Sequence, residues 1–388
     1  MLKIFQPFFI FCMVWLIVIL LFNLRLSNLL NGEISEAYKF FFFASFFFLI
    51  GYIGPFMLYK KINISSAIFK PEGDKYEKLL FKYFYFWISV SVVEIIYSRG
   101  IPVVWLLTGS DKTYADFGIP SIHGLMNALE LVLGLLSYYF YRLTKKKKFL
   151  VLTVTFVVWN LCIITRQVIV VLLLEIFFIY YYLAKNKWRL SINLAISFIL
   201  FIVFFGIIGD LRTGADNFVQ LAQPSDNWVD WLPSGFLWVY IYITTPLNNL
   251  LFNFTSPIIH YQFLFPNTMS LLFPSVIRNI LYPADTTAIT GDLVTQAFNV
   301  SSAFVAPYQD MGFYGIGLFS LFAGAFTNIV WWRKGIIRIF FRAIIVQILI
   351  LSIFFNHFFY LPVVFQFVWV LVFFRNYKNE EISEFTVS

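Results

Sequence analysis

The stretch "CIITRQVIVVLLLEIFF", Cys162 to Phe178, sets an arginine and a glutamate inside an otherwise apolar run. From Phe149 to Leu183 the chain stays apolar for about 35 residues, which as one helix would be ~52 Å long against a hydrocarbon core of ~30 Å. "KKKK" at Lys145–Lys148 precedes the run and "KNKWR" at Lys185–Arg189 follows it, and basic flanks favour the cytoplasmic side. The segment must therefore fold back as a hairpin, with "TRQ" at Thr165–Gln167 as its tip. That puts Arg166 near the outer surface and Glu175 near mid-depth. A charge at such a depth is costly, so Arg166 needs a reason.

The hairpin fits the rest of the chain. Its 388 residues are 60% hydrophobic and 12% charged, where soluble domains carry roughly 25% charge. Apolar runs of about twenty residues recur, as expected of an all-α, polytopic integral membrane protein with about 10–12 transmembrane helices. A β-barrel would instead alternate over short segments. The expected spans are 4–24, 38–58, 83–98, 121–141, 149–164, 167–184 and 190–209, then 307–329, 339–356 and 359–374. Domain 1–209 is thus an N-terminal bundle of about seven spans. Domain 307–388 holds about three spans and a cytoplasmic tail. On this path Arg25, Lys39, Arg99, Lys112, Arg166, Arg212 and Arg278 face outward, leaving 21 of the 28 basic residues inside. The net charge of +8 therefore reads as topology, not as a nucleic-acid footprint. Cys12 and Cys162 lie in apolar runs and suggest neither a disulfide nor a metal site. The run after Lys3 lacks a small-residue cleavage site and reads as a retained first span.

Residues 210–306 carry one basic residue besides Arg212, namely Arg278, so no cytoplasmic turn is marked there. This is expected to be a large external region. Its apolar stretches are broken by Pro246, Pro266 and Pro274, and read as interfacial or re-entrant helices, with a paired crossing as the alternative. Trp228, Trp231, Trp238, Tyr240 and Tyr242 suit the headgroup level.

Walker, HExxH, GxSxG, Gly-rich dinucleotide and Asp-x-Asp patterns are all absent. His123, His260 and His357 are too scattered to suggest a metal site. What stands out is the set of lone external arginines, Arg166, Arg212 and Arg278. A guanidinium is a planar, permanently charged fork suited to phosphate or carboxylate oxygens, or it can snorkel to lipid headgroups. Arg25 and Arg99 read as ordinary span flanks. Asp210 and Asp310, at the mouths of the external region, are candidate bases or caps. His260 is a candidate base or an interfacial aromatic. Glu94, Glu130 and Glu175 are structural partners or the lining of a polar cavity. Glu175 lies too far along its helix to pair with Arg166.

The order of "TRQ", "GIIGDLRTG", "YIYITTPLNNL" and "YQDMGFYGIGLFSLFAG" resembles the Wzy-type O-antigen and oligosaccharide repeat-unit polymerases over nearly the whole chain. The resemblance implies a C-type glycosyltransferase-like fold with a large periplasmic region, in the bacterial inner membrane. It implies joining of undecaprenyl-pyrophosphate-linked oligosaccharides at the outer leaflet, with inversion and with undecaprenyl pyrophosphate leaving. No metal or cofactor is implied, and a chain-length regulator protein is an implied partner. Pyrophosphate binding falls to Arg166, Arg212 and Arg278, and Asp210 and Asp310 are the candidate bases. The glycan path falls to Tyr240, Tyr242, Pro246 and Tyr308, with His260 beside them. Two other readings stay open: an O-antigen ligase, which would rely on His260, and a lipid-linked oligosaccharide flippase, against which the absence of an internal repeat counts.

Overall fold

The computed structural model describes residues 6–58, 74–184, 186–188, 191–192, 196, 199–200, 202–203, 206, 220–229, 231–255, 264–282, 290–333 and 335–375. Among these the protein is helical throughout. The one extended pairing is a bridge between Ser27 and Pro224. In chain order the helices are α1 Gln6–Asn23, α2 Ile34–Ile53, α3 Asp74–Ser98, α4 Pro102–Thr108, α5 Ile122–Thr144, α6 Lys147–Cys162 and α7 Arg166–Tyr182. After them come α8 Ser234–Thr255, α9 Pro266–Met269, α10 Ser275–Leu281, α11 Val305–Trp331, α12 Ile337–Leu351 and α13 Leu361–Phe373.

Four of the described helical segments are long and apolar enough to cross a membrane: Gln6–Asn23, Ile34–Phe56, Lys75–Thr108 and Val305–Trp331. The expectation of about 10–12 is thus met in part. α6, α7, α12 and α13 fall on expected spans but run only 16, 17, 15 and 13 residues, below the ~20 that cross alone. Each is cut by a local breaker. α6 and α7 are separated by the Ile163–Thr165 turn, α12 stops at Ser352, and α13 carries Pro362 in its first turn. Most of the expected 190–209 span lies outside the described residues.

The bundle has two distinguishable ends. At one, Lys146 and Lys148 at the start of α6 pair with Glu77 at the start of α3. At the other, termed the loop end, lie the 24–33 loop, the α3–α4–α5 connection and the α6–α7 turn. α2 and α11 run in parallel and nearly touch. A Cβ on Gly51 would stand 1.9 Å from the Leu321 carbonyl oxygen, and one on Gly324 would stand 2.1 Å from that of Phe48. Small residues permit this close approach of backbones, which gives dispersion contact where the hydrophobic effect is weak. The Asn328 amide donates to the Tyr52 carbonyl at 2.7 Å and pins the far end of the pair.

The expected external region is partly interior. α8 packs along α1, with Thr244, Thr245, Asn248, Asn249 and Asn253 all buried. Phe304, after an irregular stretch, sits among Trp15, Phe40 and Phe319, with ring centroids 5.3, 4.9 and 5.2 Å away. Irregular backbone at that depth must find partners inside the protein. It does: the Ala303 N–H donates to the Ser352 carbonyl at 2.8 Å, and Asn249 donates to the Val300 carbonyl at 2.9 Å. Trp231, by contrast, is 81% exposed, as expected of a residue near the interface.

Candidate functional site

The α6–α7 turn resolves what holds Arg166. Ile164 takes a left-handed conformation (φ +59°) and reverses the chain. The Thr165 N–H then donates to the Asn160 carbonyl at 3.0 Å, and its hydroxyl donates to Asn160 Oδ1 at 2.6 Å. Asn160 is itself buried, its amide shared between Glu130 and the Phe156 carbonyl. On the other side of Arg166, Gln167 Nε2 lies 2.9 Å from His357 Nε2, and Gln347 holds the opposite ring nitrogen, Nδ1. A neutral imidazole has one donor and one acceptor nitrogen, so one glutamine gives an N–H and the other its carbonyl. His357 lies in the turn between α12 and α13, and burial pushes its pKa down to about 3, which keeps the ring neutral. "TRQ" is therefore a side chain clamped on both flanks. Arg166 between them is exposed, with no hydrogen bond or ion pair among the described residues.

Arg278 is carried on α10. Its helix begins where Ser275 Oγ meets Ser121 Oγ at 3.0 Å, beside the start of α5. Since α5 ends at Lys145, Arg278 and Arg166 lie at the same end of the bundle. The Arg278 side chain also has no partner among the described residues. Arg212, Asp210 and His260 lie outside the described residues.

Asp310 plays the part of a cap. It is buried, and its two oxygens accept from Asn267 N (3.0 Å), Asn267 Nδ2 (2.8 Å), Thr268 N (2.8 Å) and Thr268 Oγ1 (2.6 Å). Four bonds tie the carboxylate to the start of α9. The backbone breaks just after it, at Met311 and Gly312, where φ +59° and ψ −143° suit only glycine.

The tyrosines expected along a glycan path have the following surroundings. Tyr240 is buried, and its hydroxyl accepts the Leu26 N–H at 3.0 Å. Burial raises its pKa, with Arg25 opposing. Tyr308 is buried against Phe254, ring centroids 4.7 Å apart. Tyr242 and Pro246 border a crevice of about 20 Å3 against residues 297–300. That is room for a water molecule.

The asparagines of "PLNNLLFN" bind the loops on both sides of α8. Asn248 accepts the Gly32 N–H at 2.9 Å and donates to the Leu29 carbonyl at 2.9 Å. Asn249 accepts the Val294 N–H at 3.1 Å, and Asn253 accepts that of Asp292 at 2.9 Å. Three amides on one apolar helix were the available signal, since each must find a partner once buried. The acidic residues within the helices divide in the same way. Glu94 pairs with His123 at 3.2 Å and Glu130 holds Asn160, while Glu175 is buried beside the Gln366 amide. No cluster of three potential metal-ligating side chains forms among the described residues.

No protein-family model, no curated protein and no solved structure matches the chain.

Proposed function

We propose that this protein is a membrane-embedded, metal-independent glycosyltransferase that polymerises oligosaccharide units carried on undecaprenyl pyrophosphate, at the outer leaflet of a bacterial inner membrane. The reading starts from the resemblance to Wzy-type polymerases. One structural observation supports it: two guanidinium groups, Arg166 and Arg278, stand without partners at one end of the bundle, each on a rigidly anchored segment.

The chemistry follows from the leaving group. An acceptor hydroxyl attacks the anomeric carbon, the bond from that carbon to the diphosphate oxygen breaks, and configuration inverts. Negative charge grows on the departing diphosphate, where preorganised guanidinium donors act most strongly. The hydroxyl proton passes to a base. Asp310 is occupied by its four hydrogen bonds, which leaves Asp210 as the carboxylate candidate.

The test is incubation of the purified protein in detergent with one synthetic undecaprenyl-pyrophosphate repeat unit. A ladder of products that survives chelator is expected, and Arg166→Ala, Arg212→Ala and Arg278→Ala should each slow it by about 100-fold or more. Undiminished ladders from all three variants would refute the assignment.

A further inference from the structure

A charged groove at the loop end belongs to neither the Arg166 turn nor the α9–α10 segment. It has a volume of about 510 Å3 and is lined by Tyr97, Ser98, Arg99, Asp111, Lys112 and Asp116. It forms where α3 stops. The Gly100 N–H donates to the Ile95 carbonyl at 3.0 Å and the Arg99 N–H to that of Ile96 at 3.2 Å, a helix-ending pattern whose left-handed position is normally filled by glycine. Here Arg99 holds that position, at φ +59°, with Gly100 following at φ +138°. Gly100 is not interchangeable with it, because a Cβ there would lie 2.6 Å from Trp105 Nε1. Strain of this kind persists where surrounding structure enforces it, and such positions cluster at ligand sites.

The lining chemistry narrows the ligand. Arg99 and Asp111 make no side-chain hydrogen bond or ion pair among the described residues. Lys112 donates to the Ser98 carbonyl at 2.8 Å and lies 5.1 Å above the Trp105 ring, which fixes its position while leaving donors over. Asp116 uses Oδ2 for the Thr113 N–H and hydroxyl, at 2.7 and 3.0 Å, and its Oδ1 is unengaged. The Tyr97 ring is 59% exposed. Two cations and two carboxylates cancel, so the groove has no net attraction for an anion. Interleaved donors and acceptors beside an open aromatic ring suit a neutral polyol, whose hydroxyls both donate and accept. The volume lies within the ~300–1,000 Å3 typical of small-ligand sites.

The wall behind the groove packs against the hairpin turn. Trp105 and Phe117, behind its wall, are buried together with Ile163, three residues before Arg166. We infer that this groove is a docking site for the uncharged sugar portion of a glycan, adjoining the segment that carries Arg166. Its place in catalysis rests on the proposed function; the sugar contact does not.

The experiment applies full-length protein in detergent to an array of neutral, lipid-free oligosaccharides, with inorganic phosphate as a competitor. Wild type should retain a subset of sugars, indifferent to phosphate. Arg99→Gly should raise the melting temperature by relieving the backbone while cutting retention at least tenfold, and Asp111→Asn should cut it similarly. Arg166→Ala should bind as wild type. Retention unchanged in both groove variants, competition by phosphate, or no retention by wild type would each overturn the inference. The two readings separate cleanly. Sugar binding that needs Arg99 without any product ladder sinks the polymerase and keeps the groove, whereas a ladder insensitive to Arg99→Gly and Asp111→Asn does the reverse.

Discussion

Arg25 and Arg166 follow or begin apolar helices at the same end of the bundle, yet their surroundings have opposite characters. The Arg25 guanidinium turns back onto the Leu30 and Gly32 carbonyls and lies 4.2 Å over the Phe22 ring. Burial lowers its pKa. Around it the 24–33 loop is clasped to residues 222–227: Asn28 N–H donates to the Gln223 carbonyl at 2.8 Å and Ser27 Oγ to that of Ala222 at 2.6 Å. The Arg25 guanidinium in that clasp is bonded to the protein's own carbonyls. At the Arg166 turn the neighbours are bonded and the cation is not. An arginine whose donors are consumed by nearby carbonyls is architecture. One whose flanks are locked while its own donors stay open is what the proposed function asks of Arg166.

This contrast can be broken by experiment. The largest expected effect is on chain growth in Arg166→Ala, a loss of about 100-fold or more, with unfolding free energy unchanged to within ~0.5 kcal/mol. A melting temperature that falls along with activity would remove the distinction. Asn160→Ala should destabilise by ~3 kcal/mol, because it leaves the Glu130 carboxyl and the Thr165 hydroxyl without their partner; thermal unfolding in detergent measures it. Arg25→Ala should cost ~2 kcal/mol through two lost charged hydrogen bonds, while the remaining folded fraction elongates glycan normally. For His357 the folded pKa of about 3 lies below the ordinary 6.5, so the unfolded chain binds more protons between those values. Its contribution is complete above pH 6.5 and declines on acidification at up to ~1.4 kcal/mol per pH unit. A His357→Gln variant that retained the full acid sensitivity of wild type would exclude the clamp as its source. The smallest effect is Tyr240→Phe, ~1 kcal/mol for one hydroxyl accepting the Leu26 N–H.

The helical positions were largely legible because apolar run length and basic flanks are sequence properties. The Arg166 hairpin followed from 35 apolar residues between two basic clusters, and the turn lies where that argument put it. The sequence did not disclose α8 as an interior helix. Its aromatic half resembles an interfacial segment, and its burial depends on asparagine partners distant in sequence, the farthest being Leu29 for Asn248. Asp310 was ambiguous for a similar reason: a carboxylate in an external loop and one capping a distant turn look alike until Asn267 and Thr268 are brought against it. Arg99 read as an ordinary flank because backbone φ is not visible in residue type. The glycan-path tyrosines followed from the family resemblance, and their placement is set by packing that no spacing rule predicts.

The near-contact of α2 and α11 has a bearing on how the protein is made. Tyr52 and Asn328 are 276 residues apart, and Trp15 finds its Ser352 partner across 337. During synthesis the first helices enter the bilayer long before their closest neighbour exists. α2 must wait there with its face around Gly51 uncovered, open to lipid or to another nascent chain. Biogenesis is therefore most vulnerable late, and a ribosome stalled before α11 would leave an orphaned half suited to membrane-protease surveillance.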